Sequence, residues 1–315
     1  MKSAGVLDDR DRDALRATFG DRVQFDAPLA PYTWWKVGGP ADALVEAHTA
    51  DELAEILRRV FTRRLPMFAL GAGSNLLVGD GGIRGIVIRL AGAFTALEVS
   101  AAGESVIARG GGAASLPTLC TRVANLGGVG VDGLAGVPAT LGGALRMNAG
   151  TDTEVGDFAR EVVVQTPARP EPHAIDVAYQ YRRTTIPRDA VVTRAELAFA
   201  TAEVRPIRER LQARLVRRKA TQPVAMPNAG SCFRNPPGDH AARLIEALGA
   251  KGWREGGAEV SPVHANFIVN TGGATAQNVA TLLARVRRAV VDQFAVDLHL
   301  EVHLVGEFTD TACPS

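Results

Sequence analysis

The chain has 315 residues, 46% of them hydrophobic, which is enough for one large core or two smaller ones and excludes an intrinsically disordered chain. With 35 Lys and Arg against 34 Asp and Glu, the formal net charge of +1 gives no global electrostatic reason to expect nucleic acid or an anionic membrane as a partner. The charged start, MKSAGVLDDRDRDALRA, lacks the apolar core of a signal peptide, no apolar run reaches the roughly 18 residues of a membrane span, and the three scattered cysteines suggest neither disulfides nor zinc. We therefore expect a cytoplasmic protein without a metal site.

The first half of the chain predicts helices alternating with short strands. Thr49–Phe61 has the periodicity of an amphipathic helix, with capping-box spacing at its start. Gly85–Leu90 (GIVIRL) is typical of a buried strand. Ser115–Gly128 predicts a second helix closed by glycine, and Cys120 lies on its apolar face, so we expect a packed core thiol there.

The second half of the chain predicts strands over residues 161–200, a helix over residues 208–219, and then a helix, a strand, a helix and a strand. The last of these strands is DLHLEVHLVGEF. A domain boundary is expected near residue 204, just before Pro206. The mixture of strand runs and helices favours an α+β fold over regular βαβ winding.

A basic stretch follows that boundary. Residues 205–219 hold seven basic side chains and one acid. The spacing of Ile207, Leu211 and Leu215 predicts a solvated helix that turns these three side chains inward. No aromatic residues interleave with the charges, which disfavours binding of single-stranded nucleic acid.

Two glycine-rich stretches carry most of the functional information. Gly71–Asn75 (GAGSN) follows an apolar strand, and its glycine-rich main chain could either bind a phosphate through its N–H groups or form a tight loop between strands. It lacks the third glycine of a dinucleotide fingerprint, at Leu76, and no helix pattern follows, which argues against a Rossmann site. Gly133–Gly150 is too rich in Gly, Ala and Pro for an ordinary helix or strand, and suits a pyrophosphate or a close-packed turn. Together they favour a nucleotide cofactor.

At this point the chain resembles a known family, the UDP-N-acetylenolpyruvoylglucosamine reductases (MurB family). Each matching motif is short, but seven of them in family order are specific, and together they span roughly residues 30–308. The motifs are YTWWKVGGPAD, GAGSNLLVGDGGIRGIVI, GVPATLGGALRMNAG, YRRTT, PNAGSCFRNP, GGAEVSPVHANFIVN and LEVHLVGE.

The resemblance implies an α+β fold with an FAD-binding domain of the vanillyl-alcohol-oxidase (PCMH) type over residues 1–204, made of two α+β subdomains. A C-terminal α+β substrate-binding domain is then expected over residues 205–315. The implied ligands are one non-covalently bound FAD, NADPH as co-substrate and UDP-N-acetylglucosamine enolpyruvate as substrate, with no nucleic acid, no membrane and no metal. We expect a monomer. The implied FAD-binding residues are Gly71, Ala72, Gly73, Ser74, Asn75, Leu76, Pro138, Ala139, Thr140, Gly142 and Gly143.

Three residues match the catalytic set of the family. Arg182, in YRRTT, matches the arginine that grips the substrate carboxylate, with Arg183 as its rival by adjacency. Glu301, in LEVHL, matches the glutamate that helps to stabilise the enolate. Ser231, in NAGSCFRNP, matches the serine that protonates carbon 2, so that its neighbour Cys232 is expected to point away from the chemistry.

Four further residues are implied to bind the substrate. Arg234 replaces a lysine that is common in the family and keeps the positive charge for the diphosphate. The complete implied set is Tyr181, Arg234, Asn235 and His264.

The chain also departs from the family pattern. Ala139 stands where glycine is usual, and NAGTDTEV replaces the usual Ala-Tyr-Gly continuation. His299 and His303 flank Glu301 at alternating positions, so on a continuous strand all three side chains would face one side. They would then be exposed histidines, groups that tune the proton affinity of Glu301, or, least expected, a metal site.

Two other functions stay open at this level. One is a flavin enzyme of the same fold that acts on another substrate, such as a hydroxy-acid or alcohol oxidase. The other is a nucleotide-binding protein without turnover, against which the intact set of Arg182, Ser231 and Glu301 argues. Reduction of the enolpyruvyl sugar by NADPH separates both from the reductase.

Overall fold

The computed structural model describes residues 7–308, which fold as two compact units. The first takes in the chain up to Phe25, Asp42–Ala72 and Gly85–Arg217, and the second takes in Asp26–Ala41, Gly73–Arg84 and the chain from Arg218 onward. The division is therefore not one cut near residue 204, because two short early segments belong to the second unit. The helix that begins at the predicted boundary also stays with the first unit as far as Arg217, since Ile207 lies in the core of that unit. The assignment of FAD to residues 1–204 and of substrate to residues 205–315 stays a prediction.

Helices and several separate sheets confirm the α+β class. Between residues 7 and 308 the helices are α1 (Asp9–Phe19), α2 (Ala50–Arg63), α3 (Leu116–Asn125), α4 (Leu141–Met147), α5 (Val204–Thr221), α6 (Ala241–Ala247) and α7 (Ala276–Phe294). The strands are β1 (Val23–Pro28), β2 (Pro40–Ala47), β3 (Met67–Ala69), β4 (Leu76–Val78), β5 (Ile83–Leu90), β6 (Leu97–Ala102), β7 (Ser105–Gly111), β8 (Ala159–Gln165), β9 (His173–Ile175), β10 (Tyr179–Gln180), β11 (Arg183–Thr184), β12 (Val191–Ala200), β13 (Arg254–Glu255), β14 (Ala258–Val260), β15 (Ile268–Asn270) and β16 (His303–Val305).

The sheets are built mainly from strands that are close in sequence, with a few long-range pairings. The orders are β1-β2-β5-β3, β6-β7-β12-β8-β9 and β13-β14-β15, with the separate pairs β10-β11 and β4-β16. In the first unit, α1 and α2 share one hydrophobic core with β2 and β5, while α3 and α4 share another with β7, β8 and β12. The two cores agree with the two subdomains that the family resemblance implies.

Helix α2 confirms the amphipathic helix, with its predicted apolar face buried, but its N-terminus is not a full capping box. The Thr49 hydroxyl accepts a hydrogen bond from the main-chain N–H of Glu52 at 3.2 Å. The Glu52 carboxylate instead binds the guanidinium of Arg22 at 2.7 Å and accepts from the N–H of His48 at 2.8 Å. These partners, Arg22 above all, lower the pKa of Glu52 to about 2.

Helix α3 follows its prediction closely. It begins at the N-cap Ser115, whose hydroxyl accepts from the N–H of Thr118. Cys120 is buried in the core, and burial raises the pKa of its thiol to about 12. The thiol is therefore a packing group with little thiolate at neutral pH.

The second glycine-rich stretch contains a helix, which corrects the expectation that it could hold none. Helix α4 starts at Thr140, whose hydroxyl accepts from the N–H of Gly143 at 3.2 Å. Gly142 lies so close to the main chain of a neighbouring loop that an added Cβ would be 3.0 Å from the carbonyl oxygen of Gly112. The glycines thus serve close packing of a short helix, and the N-cap offsets their low helix propensity.

Helix α5 is present as predicted, but its inward face is shorter than expected. Ile207 is buried and Leu211 packs against the core, whereas Leu215 is 37% exposed. Two partly exposed arginines of this helix, Arg210 and Arg214, form ion pairs with Asp132. No helix between residues 7 and 308 is long and apolar enough to cross a membrane.

The second unit is organised around α7, which packs with α6 and the three-stranded sheet. Thr275 and Asn278 form a capping box at the start of α7. The carboxylate of Asp80, from a distant part of the sequence, accepts from the N–H groups of Ala276 at 2.8 Å and Gln277 at 2.9 Å. A negative group stabilises the positive end of a helix, so Asp80 fastens its own loop to α7.

The predicted strand DLHLEVHLVGEF is broken, which corrects the sequence expectation. Leu300 forms a single bridge with Phe233, the chain then bends at Glu301 and Val302, and only His303–Val305 forms a strand, β16. The strand β16 pairs in parallel with β4, from a different part of the unit. The alternation of His299, Glu301 and His303 therefore does not place their side chains on one face of one strand.

Two adjacent tryptophans test the packing of the second unit. Trp35 is fully buried and its indole N–H donates to the carbonyl oxygen of Ile268 at 2.7 Å, whereas Trp34 is 42% exposed. We expect Trp35→Phe to lower the free energy of unfolding by about 2–3 kcal/mol, because it leaves a cavity and a buried carbonyl without its donor. Trp34→Phe is the matched control and should change it by less than about 0.5 kcal/mol. Urea unfolding followed by circular dichroism gives both values, and equal losses would contradict the assignment.

Candidate active site

Ser231 lies at the start of a short backbone ladder in the second unit. Phe233 and Leu300 form an antiparallel bridge, the N–H of Glu301 donates to the carbonyl oxygen of Cys232 at 2.8 Å, and the N–H of Arg234 donates to the carbonyl oxygen of His299 at 2.9 Å. The ladder therefore brings the segment of Ser231 beside that of Glu301. These two predicted catalytic residues are far apart in the sequence, and only the fold joins them.

Ser231 and Cys232 have different environments. Cys232 is fully buried, and burial in the first place, with the charge of Glu301, raises the pKa of its thiol to about 12. A buried neutral thiol is a poor nucleophile and a poor acid. Ser231 is partly exposed, and its hydroxyl makes no hydrogen bond to any other residue of the described chain, 7–308. Of the two neighbours, the serine is therefore the one whose side chain can reach a ligand.

Glu301 is tied to one of the predicted FAD-binding residues. The side-chain amide of Asn75 donates to the carbonyl oxygen of Glu301 at 3.1 Å, and the N–H of His303 donates to the carbonyl oxygen of Asn75 at 3.0 Å. These bonds lie where β4 and β16 begin to pair, with Leu76 opposite His303. Sequence analysis missed the link, because nothing in either motif signals which distant strand it joins.

The predicted metal alternative gains no support from these positions. Across residues 7–308 no group of three or more His, Cys, Asp or Glu side chains is arranged to hold a metal ion. His299 lies at the end of the ladder, close enough to Asp297 to help lower the pKa of that carboxyl group, after Arg287. His303 is exposed at the start of β16.

Arg182 belongs to the first unit and occupies a tight turn. The strands β10 and β11 pair as a hairpin, and Tyr181 and Arg182 are its two turn residues. Of these two residues only Arg182 has a positive φ, 55°, in the left-handed region that a type II turn requires at its second central residue. Its guanidinium donates to the carbonyl oxygens of Asn148 at 3.2 Å and Gly150 at 2.7 Å. It also lies over the ring of Tyr181, at 5.0 Å from the ring centre.

A carboxylate completes the surroundings of Arg182. Glu154 binds Nη1 of Arg182 at 3.2 Å and accepts a hydrogen bond from the side-chain amide of Asn148. Burial raises the pKa of Glu154 while Arg182 lowers it, and the first effect is larger. Asn148 also donates to the carbonyl oxygen of Gln180 at 3.0 Å, next to the turn. The stretch NAGTDTEV, which differs from the usual family sequence, thus supplies the partners of Arg182. Sequence analysis did not identify these partners.

The two predicted FAD-binding loops meet within the first unit. The main chain at Gly71 is so close to Thr140 that an added Cβ would lie 2.8 Å from the threonine Oγ1. Thr140 is flanked in the sequence of the second loop by the other predicted FAD-binding residues Pro138, Ala139, Gly142 and Gly143. In the first loop, Ala72 follows Gly71. The donor set fits FAD, because it offers main-chain groups and small side chains without a carboxylate to repel a pyrophosphate.

The remaining predicted FAD-binding residues, Gly73 to Leu76, belong to the second unit. Gly73 has a φ of 64°, and a Cβ there would lie 2.0 Å from the carbonyl oxygen of Tyr32. Only glycine can stand at this position. Its carbonyl oxygen accepts from the N–H of Trp34 at 3.1 Å, so this part of the loop is held by the YTWW motif.

The predicted substrate-binding residues of the second unit differ in how they are engaged. The Nε of Arg234 is buried and has no hydrogen-bond partner within residues 7–308, so the side chain can still bind an anion. Asn235 accepts from the N–H of Ala241 at 3.1 Å and so holds the start of α6. Burial, followed by the charge of Lys251, lowers the pKa of His264, which favours the neutral imidazole.

Comparisons with known proteins agree along nearly the whole chain. A model for an FAD binding domain matches residues 41–166, and a model for the C-terminal domain of UDP-N-acetylenolpyruvoylglucosamine reductase matches residues 222–305. The reductase of Moorella thermoacetica is 43% identical and the alignment covers 91% of this chain and 94% of its relative. The reductase of an Anaeromyxobacter species is 44% identical over 90% of this chain and 88% of its own length.

A solved structure supports the same relation. The crystal structure of UDP-N-acetylenolpyruvylglucosamine reductase (MurB) from Thermus caldophilus matches with a TM-score of 0.76 and 35% sequence identity, covering 90% of this chain and 97% of the other. Sequence identity, domain content and fold all point the same way. The chain therefore belongs to the UDP-N-acetylenolpyruvoylglucosamine reductase family, the FAD-dependent oxidoreductases of peptidoglycan precursor synthesis.

Proposed function

We propose that this protein reduces UDP-N-acetylglucosamine enolpyruvate to UDP-N-acetylmuramate with NADPH, in two half-reactions that share one FAD. The observation that carries the proposal is the backbone ladder between Ser231 and Glu301. It sets an accessible hydroxyl beside the segment of a carboxylate and leaves Cys232 buried. When bound, FAD would supply the hydride chemistry that connects NADPH with carbon 3 of the enolpyruvyl group.

The protein side chains must manage the charge that this transfer creates. When carbon 3 gains the hydride, the electron pair of the carbon–carbon double bond moves to carbon 2 and its carboxylate. Fixed positive groups lower the energy of such an enolate because they are already oriented. Arg182 has this role, and its own orientation is supported by Glu154 and two main-chain carbonyls.

The reaction closes with a proton transfer. Ser231 donates its hydroxyl proton to carbon 2, a carbon–hydrogen bond forms there, and the serine oxygen recovers a proton from solvent. Glu301 shares a proton with the enolate oxygen and so limits the build-up of charge. In sum, NADPH and one proton are consumed and NADP+ and the lactyl ether are formed.

Binding of the substrate falls to the four predicted substrate-binding residues. Arg234 binds the diphosphate, which agrees with the buried Nε that has no partner among the described residues. Tyr181, Asn235 and His264 contact the rest of the substrate, with His264 neutral because its pKa is lowered. A cytoplasmic location and a monomeric state stay predictions from the sequence.

The first prediction concerns how FAD is held. Neither glycine-rich loop contains a histidine or a cysteine that could form a covalent flavin link. We expect acid precipitation of the purified protein to release all of the yellow colour into the supernatant. Flavin that stays on the precipitated chain after washing would contradict non-covalent binding.

The second prediction separates the two half-reactions at Ser231. Ser231→Ala should leave reduction of the flavin by NADPH near the parental rate and slow its reoxidation by the enolpyruvyl sugar by about 10²–10⁴-fold, because a placed proton donor is lost. Cys232→Ala is the matched control, since this thiol is buried and protonated. Stopped-flow absorbance measures both steps. A slow Cys232→Ala with a normal Ser231→Ala would reverse the assignment.

The third prediction distinguishes the two arginines of YRRTT. Arg182→Lys should slow the reoxidation step by about 10²–10³-fold, because a lysine cannot keep the planar set of donors that binds a carboxylate. Arg183, which is exposed in β11, serves as the control, and Arg183→Lys should stay close to the parent. The same stopped-flow assay applies, with thermal unfolding to verify that both variants fold. Equal rates for the two variants would remove Arg182 from the proposed role.

A further inference from the structure

Asn266, in the motif HANFIVN, uses its side-chain carboxamide and its main-chain carbonyl to hold the segment that carries Ser231. Its side-chain oxygen accepts from the N–H of Phe233 at 3.0 Å, and its side-chain amide donates to the carbonyl oxygen of Phe233 at 2.8 Å. Its own carbonyl oxygen accepts from the N–H of Cys232 at 2.8 Å, and its N–H donates to Nδ1 of His264 at 3.3 Å.

The ladder geometry explains why these contacts are needed. In an antiparallel pair, a residue flanked by two hydrogen-bonded neighbours turns its own N–H and C=O away from the partner strand. Cys232 and Arg234 bond to the strand of Glu301, so the N–H and C=O of Phe233 point to the opposite side. There the side chain of Asn266 replaces a missing third strand, because a carboxamide offers one donor and one acceptor in the same spacing as a peptide group.

Few other side chains can do this. Asn266 is only 4% exposed, so water cannot substitute for either bond. Aspartate keeps the acceptor but loses the donor and buries a charge, and leucine loses both groups. Because both side-chain atoms bind main chain and the residue is buried, the Asn266 carboxamide serves the backbone of its neighbours and is not displayed to a ligand.

We propose that Asn266 is a positioning residue that fixes Ser231 for proton delivery. This proposal rests on the proposed role of Ser231 as the proton donor. Two peptide groups next to Ser231, those of Cys232 and Phe233, are held on one side by Asn266 and on the other by the strand of Glu301. We call this pair of contacts, from Asn266 on one side and the strand of Glu301 on the other, the Asn266 clamp. The clamp therefore determines the position of the serine hydroxyl relative to Glu301. A proton donor acts only within about 3 Å of its target, and a displacement of about 1 Å can cost about 100-fold.

The test compares Asn266→Asp and Asn266→Ser with the parent in both half-reactions. We expect reoxidation of the reduced flavin by the enolpyruvyl sugar to slow by about 10–100-fold, with a larger solvent deuterium isotope effect, while reduction by NADPH keeps its parental rate. The serine variant introduces no charge, so it serves where the aspartate variant does not fold. Parental reoxidation in a folded variant, or equal slowing of both steps, would overturn the proposal.

A chemically matched control lies four residues along the chain. Asn270 also donates from its side-chain amide to a main-chain carbonyl, that of Trp35 at 2.9 Å, and its side-chain oxygen accepts from the N–H groups of Gly272 and Ala274. Only its main-chain N–H, which a substitution keeps, reaches the loop before Ser231, at the carbonyl oxygen of Pro227. Asn270→Asp loses the same kind of bond in the same unit. It should lower the melting temperature without changing the ratio of the two half-reaction rates. A changed ratio in this control would show that the effect of Asn266 is general destabilisation.

A double-mutant cycle separates the positioning role from the chemistry. If Asn266 acts through Ser231, then adding Asn266→Asp to Ser231→Ala should slow reoxidation far less than Asn266→Asp slows the parent. Equal slowing in both backgrounds would overturn the clamp and leave Ser231 as the proton donor. Parental reoxidation by Ser231→Ala alone would overturn the proposed function, and the clamp with it.

Discussion

The hydrogen bond from the N–H of Glu301 to the carbonyl oxygen of Cys232 is the contact on which the candidate site of the second unit depends. It joins a loop that follows α5 to the last segment of the chain, and both carry proposed catalytic side chains. The same bond fixes the direction of the loop, because it decides which peptide groups face the strand of Glu301 and which face Asn266. Cys232 is buried as a consequence, and its partly exposed neighbour Ser231 is left to reach a ligand.

A comparable constraint shapes the first unit at Arg182. A two-residue hairpin turn forces this arginine into the left-handed region, at a cost of order 1–3 kcal/mol that the surroundings must offset. Asn148 holds the strand before the turn, while Glu154 and two carbonyl oxygens hold the guanidinium. A strained backbone that its neighbours over-determine is a common feature of functional sites, since it keeps a charged group in one orientation.

The glycines of this chain illustrate how one composition serves different ends. Gly73 permits a backbone conformation and a contact with Tyr32 that no other residue allows. Gly142 sits inside a helix, where its missing side chain lets α4 approach the loop of Gly112. The high glycine content therefore correctly indicated that main-chain segments approach each other closely. It wrongly indicated that Gly133–Gly150 contains no helix, because an N-cap and tertiary packing can outweigh a low helix propensity.

The sequence by itself determined the helices α2, α3 and α7, the burial of Cys120 and the family, because periodicity, caps and ordered motifs depend on residues that are near one another along the chain. It did not determine the broken strand around Glu301, the link from Asn75 to Glu301, the cap that Asp80 places on α7, or the clamp of Asn266. Those features join segments that are distant in sequence, and a lone polar residue in a motif carries no signal of its partner. Only the tertiary structure decided them, because a buried main-chain group takes whichever donor or acceptor the folded chain brings to it.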